Sequence, residues 1–192
     1  METMYRQRRN RQIKPQDEES ARRPLDPQKA RERTLQRAVK LLAAKPRSIA
    51  ELRERLLEKD WSNDEAVDAA IAKLSEYGYV NDEQFAQSFA ASRVRQKPIG
   101  RTRLARDLQM KKVPKEVADA AIKATYEETP EETLIDEAIS KRIRLRGRPQ
   151  TREETKSLFD HLLRRGFSHD LVIRKVRALS SSDIDEADVD GE

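Results

Sequence analysis

Residues 51–74 read ELRERLLEKDWSNDEAVDAAIAKL, and this stretch has counterparts further along the chain. Leu52, Leu56 and Trp61 stand four and then five residues apart. The same spacing returns at offsets of 52 and then 54 residues, in Leu104, Leu108 and Val113 and again in Leu158, Leu162 and Phe167. Self-similarity at a period of roughly fifty residues indicates stacked structural repeats. We therefore predict three repeats, with Trp61 and its counterparts buried at one turn; base stacking is the alternative role for Trp61.

Helix-breaking residues divide each repeat into three segments. Breaks occur at Lys45-Pro46, Gly78, Pro98-Ile99-Gly100, Pro114, Gly147-Arg148-Pro149 and Gly166. Ser48 with Glu51 has the pattern of a capping box, and Asn63 or Ser62 is placed to cap the next helix. With 5 glycines and 5% aromatic residues, the composition favours helices over strands. The predicted fold is all-α, with three tandem helix-turn-helix-like three-helix repeats in an elongated curved array. We expect a monomer, because the apolar stripes are used within and between repeats.

Charge and proline content set the expected boundaries. Residues 1–28 are polar and proline-containing, and we expect a disordered basic arm there. Residues 180–192 hold six acidic and no basic side chains, which predicts a disordered acidic tail. The three-helix repeats then occupy residues 29–80, 81–129 and 130–179.

Composition excludes several classes of protein. Of the 192 residues, 39% are charged and 36% hydrophobic, so one large dry core is not expected. The sequence has no cysteine, which excludes disulfides and thiolate chemistry. No apolar window approaches the roughly 20 residues that span a bilayer. We expect a cytoplasmic protein without membrane contact.

Residues suited to catalysis are missing from the sequence. The sequence contains neither of the glycine-rich phosphate-binding motifs GxxxxGK(S/T) and GxGxxG, so no nucleotide cofactor is expected. His161 and His169 are the only histidines and lack metal-ligand spacing, and we expect both at the surface. Acidic pairs such as Asp64-Glu65 fall in the predicted first turns of helices, where the helix dipole favours them. We therefore predict that the protein is not an enzyme and that it needs no cofactor or metal.

The most informative cluster is basic and runs from residue 93 to residue 112. It reads RVRQKPIGRTRLARDLQMKK, with Asp107 as its single acidic residue. A helix end, a break and a new helix place these charges around one corner, suited to phosphates or an acidic protein groove. A second set lies near the breaks of the third repeat. A solvated basic face is the alternative for both. The contact candidates are Arg93, Arg95, Lys97, Arg101, Arg103, Arg106, Lys111, Lys112, Arg144, Arg146, Arg164 and Arg165.

Three motifs resemble the RecX family of bacterial regulatory proteins. They are the run Tyr77-Gly78-Tyr79-Val80-Asn81-Asp82-Glu83-Gln84-Phe85-Ala86, the Gly100 break before Leu104 and Leu108, and the run Leu162-Leu163-Arg164-Arg165-Gly166-Phe167-Ser168 followed by Ile173. These motifs in this order, together with the three repeats, extend the resemblance over about residues 34–179. The family often has Lys-Gly-hydrophobic at the turn of the second unit, whereas this chain has Lys112-Val113-Pro114, so a differently built turn is expected. The two tails have no counterpart.

The resemblance implies a modulator of the RecA recombinase. Such a protein binds RecA filaments on DNA, along the groove or at the end, and mainly inhibits their ATPase, coprotease and strand-exchange activities in recombination, DNA repair and the SOS response. Its partners would be RecA and, through phosphate contacts, single- or double-stranded DNA. An alternative from another class is a stand-alone DNA-binding protein, because three-helix units resemble helix-turn-helix modules. DNA binding without RecA and a steep salt dependence would favour that alternative.

Overall fold

The computed structural model describes residues 26–187, with side chains to residue 179. This part of the chain forms nine helices and no strand. We group them as unit 1 (α1, Pro27–Ala44; α2, Ile49–Leu57; α3, Asp64–Glu76), unit 2 (α4, Asp82–Gln96; α5, Arg101–Met110; α6, Lys115–Glu128) and unit 3 (α7, Glu131–Arg146; α8, Arg152–Arg164; α9, His169–Ala187). The prediction of an all-α array of three-helix repeats is confirmed. No helix in the described range is long and apolar enough to cross a membrane.

Capping side chains start the helices where the sequence predicts. The Ser48 hydroxyl accepts a hydrogen bond from the amide of Glu51 at 3.1 Å, and Asn63 Oδ1 accepts one from the amide of Ala66 at 2.8 Å. These contacts satisfy amide groups that have no partner within the helix. The Glu51 carboxylate instead meets Arg47 at 3.0 Å, so the predicted box is half formed. A complete capping box occurs at Thr151 and Glu154, where none was predicted.

Both ends of the array extend beyond the expected boundaries. Asp26 caps α1 and Pro27 is its first residue, a position where proline costs nothing because its missing amide would be unpaired anyway. Helix α9 continues to Ala187, past the expected limit at 179, since no glycine or proline interrupts that stretch. The rest of the predicted arm and tail, residues 1–25 and 188–192, lies outside the described residues.

The described residues contain two separate apolar cores. Unit 1 has its own cluster, built on Leu52, Leu56, Val67, Ile71 and Leu74. Units 2 and 3 share one continuous cluster that includes Leu104, Leu108, Ile135, Leu162 and Val172. Within each unit the helices contact one another. The repeats are therefore not equivalent, because the second and third bury their apolar stripes together.

The turn between the second and third helices is built alike in units 2 and 3. In unit 3 the amides of Gly166 and Phe167 donate to Leu163 and Leu162, at 2.8 and 3.4 Å. In unit 2 the amides of Lys112 and Val113 donate to Gln109 and Leu108, at 2.8 and 3.3 Å. Lys112 adopts the positive φ of 56° that glycine adopts more easily. The expectation of a differently built turn is therefore wrong, since a lysine occupies the glycine conformation.

The corresponding turn of unit 1 differs and leaves Trp61 half-buried. Its hydrogen bonds run from Lys59 to Leu56 and from Ser62 to Lys59. Trp61 lies in a surface depression with Arg33, Gln36, Arg37, Lys40 and Leu41. Val113 and Phe167 are buried as predicted, at 7% and 3% exposure. The equivalence of Trp61 with these two residues is therefore limited to sequence spacing.

Candidate partner-binding surfaces

The basic stretch 93–112 covers the end of α4, the break and all of α5, as predicted. The break lies directly against unit 3: the amide of Gly100 donates to the carbonyl of Arg165 at 2.9 Å, and the amide of Thr102 donates to that of Gly166 at 3.2 Å. A Cβ at Gly100 would collide with the backbone of Gly166 and Phe167. Two turns therefore meet backbone to backbone, and part of the predicted corner is an internal contact.

A buried carboxylate forms ion pairs with two of the predicted contact residues. Asp107 is only 3% exposed and faces two guanidinium groups. Its Oδ2 accepts from Arg93 Nε at 2.8 Å, and its Oδ1 accepts from Arg103 Nε at 3.0 Å. A buried carboxylate needs such partners because an unpaired charge is costly away from water. Arg93 therefore links α4 to α5, and Arg103 pairs with the same carboxylate within α5.

Three more of these cations form ion pairs with neighbouring units. Arg101 meets Glu131 of unit 3 at 3.3 Å, Lys111 meets Glu51 of unit 1 at 3.5 Å, and Lys112 meets Glu54 of unit 1 at 2.6 Å. The Lys112 amino group lowers the pKa of Glu54 through this contact. Among the described residues, Arg95, Lys97 and Arg106 are exposed and have no carboxylate within 4.0 Å. These three are the remaining candidates of the stretch for an external anion.

Arg101 also lies over a buried tyrosine, which ties α6 to the break. The guanidinium carbon is 4.7 Å from the centre of the Tyr126 ring, a cation–π distance. The Tyr126 hydroxyl donates to the carbonyl of Ile99 at 2.9 Å. Burial, followed by the Glu131 carboxylate, raises the pKa of Tyr126. The hydroxyl therefore remains a hydrogen-bond donor at neutral pH.

The basic side chains of unit 3 are arranged differently. Arg165 is internal, because its Nε donates to His161 Nε2 at 3.0 Å and its Nη1 donates to the carbonyl of Pro98 at 2.9 Å. Arg144, Arg146 and Arg164 are exposed and, within the described range, have no carboxylate partner. Arg142, absent from the contact candidates, donates to Ser157 Oγ at 3.0 Å. The helical spacing of Arg142 and Arg146 was the available signal for Arg142.

His161 is half-buried, whereas a surface position was expected. It lies on α8, and its Nε2 accepts the hydrogen bond from Arg165, which assigns the ring proton to Nδ1. Burial lowers the pKa of His161, and the nearby guanidinium groups of Arg165, Arg142, Arg164 and Arg146 lower it further. The imidazole is therefore neutral at pH 7. No group of three or more His, Asp or Glu side chains in the described chain could hold a metal ion.

Two grooves lie beside the residues described above. One, of about 520 Å³, lies between units 1 and 2, where Phe85 and Phe89 are stacked with ring centres 5.9 Å apart. The other, of about 420 Å³, lies between the end of α7 and the start of α8 and includes Arg142, Arg146 and Ser157. The first groove offers apolar area and the second offers positive charge. Motif spacing predicted neither groove.

Comparison with known proteins shows which family this chain is similar to. Family models for the first and second three-helix domains of RecX match residues 35–74 and 81–122. A protein named Regulatory protein RecX from Prosthecochloris aestuarii is 30% identical over 135 residues, which cover 70% of this chain and 85% of that protein. The chain belongs to the RecX family. Its RecX relatives are named regulatory proteins.

Other RecX proteins support the same assignment over shorter or more divergent alignments. The Regulatory protein RecX from Chlorobaculum tepidum is 36% identical over 88 residues, or 46% of this chain, which spans about half (54%) of that relative's length. The crystal structure of RecX from Lactobacillus salivarius has a TM-score of 0.69 at 18% identity, covering 79% of this chain and 97% of that one. At 18% identity, the similarity to the Lactobacillus salivarius structure concerns the fold alone.

One motif behind the RecX resemblance builds the contact between units 1 and 2. Asn81 caps α4 by accepting hydrogen bonds from the amides of Glu83 and Gln84, at 2.8 and 3.0 Å. The next residue, Asp82, accepts one across the unit boundary from the amide of Ile49 at 2.8 Å. In this RecX chain the Asn-Asp pair therefore starts one helix and holds the start of another.

Proposed function

We propose that this protein binds RecA filaments assembled on DNA and restrains their ATPase, coprotease and strand-exchange activities during recombination, DNA repair and the SOS response. The observation that carries this proposal is membership in a family whose members are named regulatory proteins, with an alignment over 85% of one relative. The protein acts in the cytoplasm as a monomer, without catalysis or a cofactor.

Two sets of exposed cations supply the contact surface in this proposal. Unit 2 contributes Arg95, Lys97 and Arg106, and unit 3 contributes Arg144, Arg146 and Arg164. Neither set is neutralised by the described carboxylates, so both retain charge for an acidic protein groove or for phosphates. The five paired cations of residues 93–112 hold the array together instead. The boundaries after residues 80 and 129 delimit the repeats that present these sets.

The test is the single-stranded-DNA-dependent ATPase of RecA from the same organism, titrated with the full-length protein. Direct binding to the same DNA is measured in parallel by fluorescence anisotropy. We expect ATP turnover to fall at protein concentrations that leave free DNA unbound, because a modulator recognises the filament. Unchanged turnover together with strong DNA binding would support the stand-alone DNA-binding alternative instead.

A charge-matched pair of variants assigns the contact on unit 2. The triple change Arg95→Ala, Lys97→Ala and Arg106→Ala removes exposed cations that support no internal ion pair, so helicity should stay unchanged while inhibition weakens. The control removes three exposed lysines elsewhere, Lys40→Ala, Lys73→Ala and Lys123→Ala. Equal inhibition by both variants would show that only net charge matters and would remove unit 2 from the contact surface.

A further inference from the structure

Unit 3 contains a cluster of arginines that the described part of the chain does not neutralise. We call Arg142, Arg146 and Arg164 the arginine cluster. Arg142 and Arg146 are one turn apart on α7 and line the groove between α7 and α8. Arg164 lies on α8, close enough to act electrostatically on Arg142 and on His161. Two guanidinium groups therefore line one groove, and a third lies nearby on the neighbouring helix.

The partners of the arginine cluster are neutral. Arg142 donates to the hydroxyl of Ser157 at 3.0 Å. The one carboxylate that lines the groove, Glu154, accepts backbone hydrogen bonds from Gln150 and Thr151 at 2.7 and 3.3 Å. His161, whose pKa these arginines lower, already accepts a hydrogen bond from Arg165. The described side chains thus supply no anion within 4.0 Å of these three arginines.

The contrast with unit 2 makes this arrangement informative. There, Arg93 and Arg103 converge on Asp107 and form two ion pairs, at 2.8 and 3.0 Å. Like charges held together repel one another, and an intervening anion removes that cost. In unit 3, burial lowers the pKa of Arg142, and the charges of Arg146 and Arg164 lower it further. The cluster in unit 3 therefore has the charge of an anion site whose anion is not among the described side chains.

The geometry points to an anion-binding site formed by Arg142, Arg146 and Arg164 that takes phosphodiester groups of a nucleic-acid backbone. It rests on the proposed function, in that the DNA of the RecA filament supplies these phosphates. Guanidinium groups match phosphate oxygens with paired donors, which an ammonium group does not. Ile143, Pro149 and Leu158 of the lining are buried or half-buried, while Arg142 and Arg146 bring two positive charges to the same groove.

The test is binding of labelled oligodeoxythymidine to the full chain without RecA, measured by anisotropy between about 50 and 200 mM salt. The variant is Arg142→Gln, Arg146→Gln and Arg164→Gln. We expect affinity at about 100 mM salt to fall at least tenfold, and the slope of log K against log salt to decrease by about 2, as for three lost single-strand phosphate contacts. The charge-matched control is Lys40→Gln, Lys73→Gln and Lys123→Gln, with an expected loss under about threefold.

A conservative substitution separates geometry from charge. Arg142→Lys keeps the charge but removes the planar donor pair, so we expect a few-fold weaker binding. Unfolding midpoints equal to that of the unchanged protein show that each variant is folded. Equal losses in the cluster variant and in the lysine control would overturn the site, as would undiminished DNA binding by the cluster variant.

The RecA assay distinguishes failure of this site from failure of the proposed function. If the cluster variant loses ATPase inhibition but binds free DNA normally, the cluster meets RecA protein and the phosphate assignment is wrong. If the unchanged protein binds DNA through the cluster but leaves RecA turnover unaffected, the phosphate site stands and the proposed function fails.

Discussion

The two boundaries between units are held together in different ways. The boundary between units 1 and 2 is polar: Ser48 Oγ donates to the carbonyl of Lys111 at 2.5 Å, and Asp82 accepts from the amide of Ile49 at 2.8 Å. The boundary between units 2 and 3 combines backbone contact at Gly100 and Gly166 with a continuous apolar core. Burial of apolar area supplies most folding free energy, whereas a hydrogen bond contributes about 1 kcal/mol net. We therefore expect units 2 and 3 to unfold as one cooperative body, to which unit 1 is attached.

The contrast also explains where the grooves and free charges lie. The polar boundary leaves an open groove beside Phe85 and Phe89. At the apolar boundary, basic side chains are bound internally: Arg101 forms an ion pair with Glu131, and Arg165 donates a hydrogen bond to the carbonyl of Pro98. The cations that remain for a partner are those with no described carboxylate within 4.0 Å. Local charge density is therefore a poor guide to which cations lack an internal partner.

The largest expected effect tests the separation of the two cores. Leu56→Ala in unit 1 and Leu162→Ala in unit 3 each remove a fully buried side chain and should cost about 3 kcal/mol. Hydrogen exchange measured by helix should show faster exchange in α1–α3 alone for Leu56→Ala, and throughout α4–α9 for Leu162→Ala. Faster exchange in all nine helices with Leu56→Ala would mean that unit 1 is not separate.

The next effect tests the backbone contact between units 2 and 3. Gly166 and Gly147 have nearly the same φ, 83° and 81°, but a Cβ at Gly166 would collide with Arg103, whereas one at Gly147 meets nothing within 4 Å. Alanine at either position has the same left-handed strain. We expect Gly166→Ala to lower the free energy of unfolding by about 2 kcal/mol more than Gly147→Ala in urea titrations. Equal losses would show that the turns separate without cost.

A smaller effect tests the polar boundary. Asp82→Ala removes the acceptor of the Ile49 amide and should cost about 1 kcal/mol, with faster exchange of that amide by NMR. Asp64→Ala is the matched control, because Asp64 is also the first residue of a helix but accepts nothing across a unit boundary. An unchanged Ile49 amide in Asp82→Ala would rule out this contact as a support of the boundary.

The smallest effect concerns the turn of unit 2. Lys112→Gly relieves the positive φ but removes the ion pair with Glu54 across the boundary. At high salt, where an exposed pair contributes little, we expect stability to rise by about 0.5 kcal/mol. At low salt the gain should shrink. A loss of stability at high salt would mean that Lys112 is not strained.

Much of the fold could be predicted from the sequence, because its determinants are local. The breaks at Lys45-Pro46 and Gly100, the caps at Ser48 and Asn63, and the spacing of Leu104 and Leu108 act within a few residues of one another. Those features predict helices and repeats irrespective of how the repeats meet. The contact residues, in contrast, remain predictions, and five of the eight cations of residues 93–112 proved to be internal partners.

Pairing could not be predicted, because it depends on distances through space. Asp107 and Arg93 are 14 positions apart, and Arg101 and Glu131 are 30 apart. Whether these oppositely charged side chains meet depends on how α4 packs against α5 and on how unit 2 packs against unit 3. Helix positions and repeat number follow from steric and capping rules that operate along the chain. The choice between an internal and a free arginine follows from tertiary contacts, since charge interaction depends on separation and burial rather than on order in the chain.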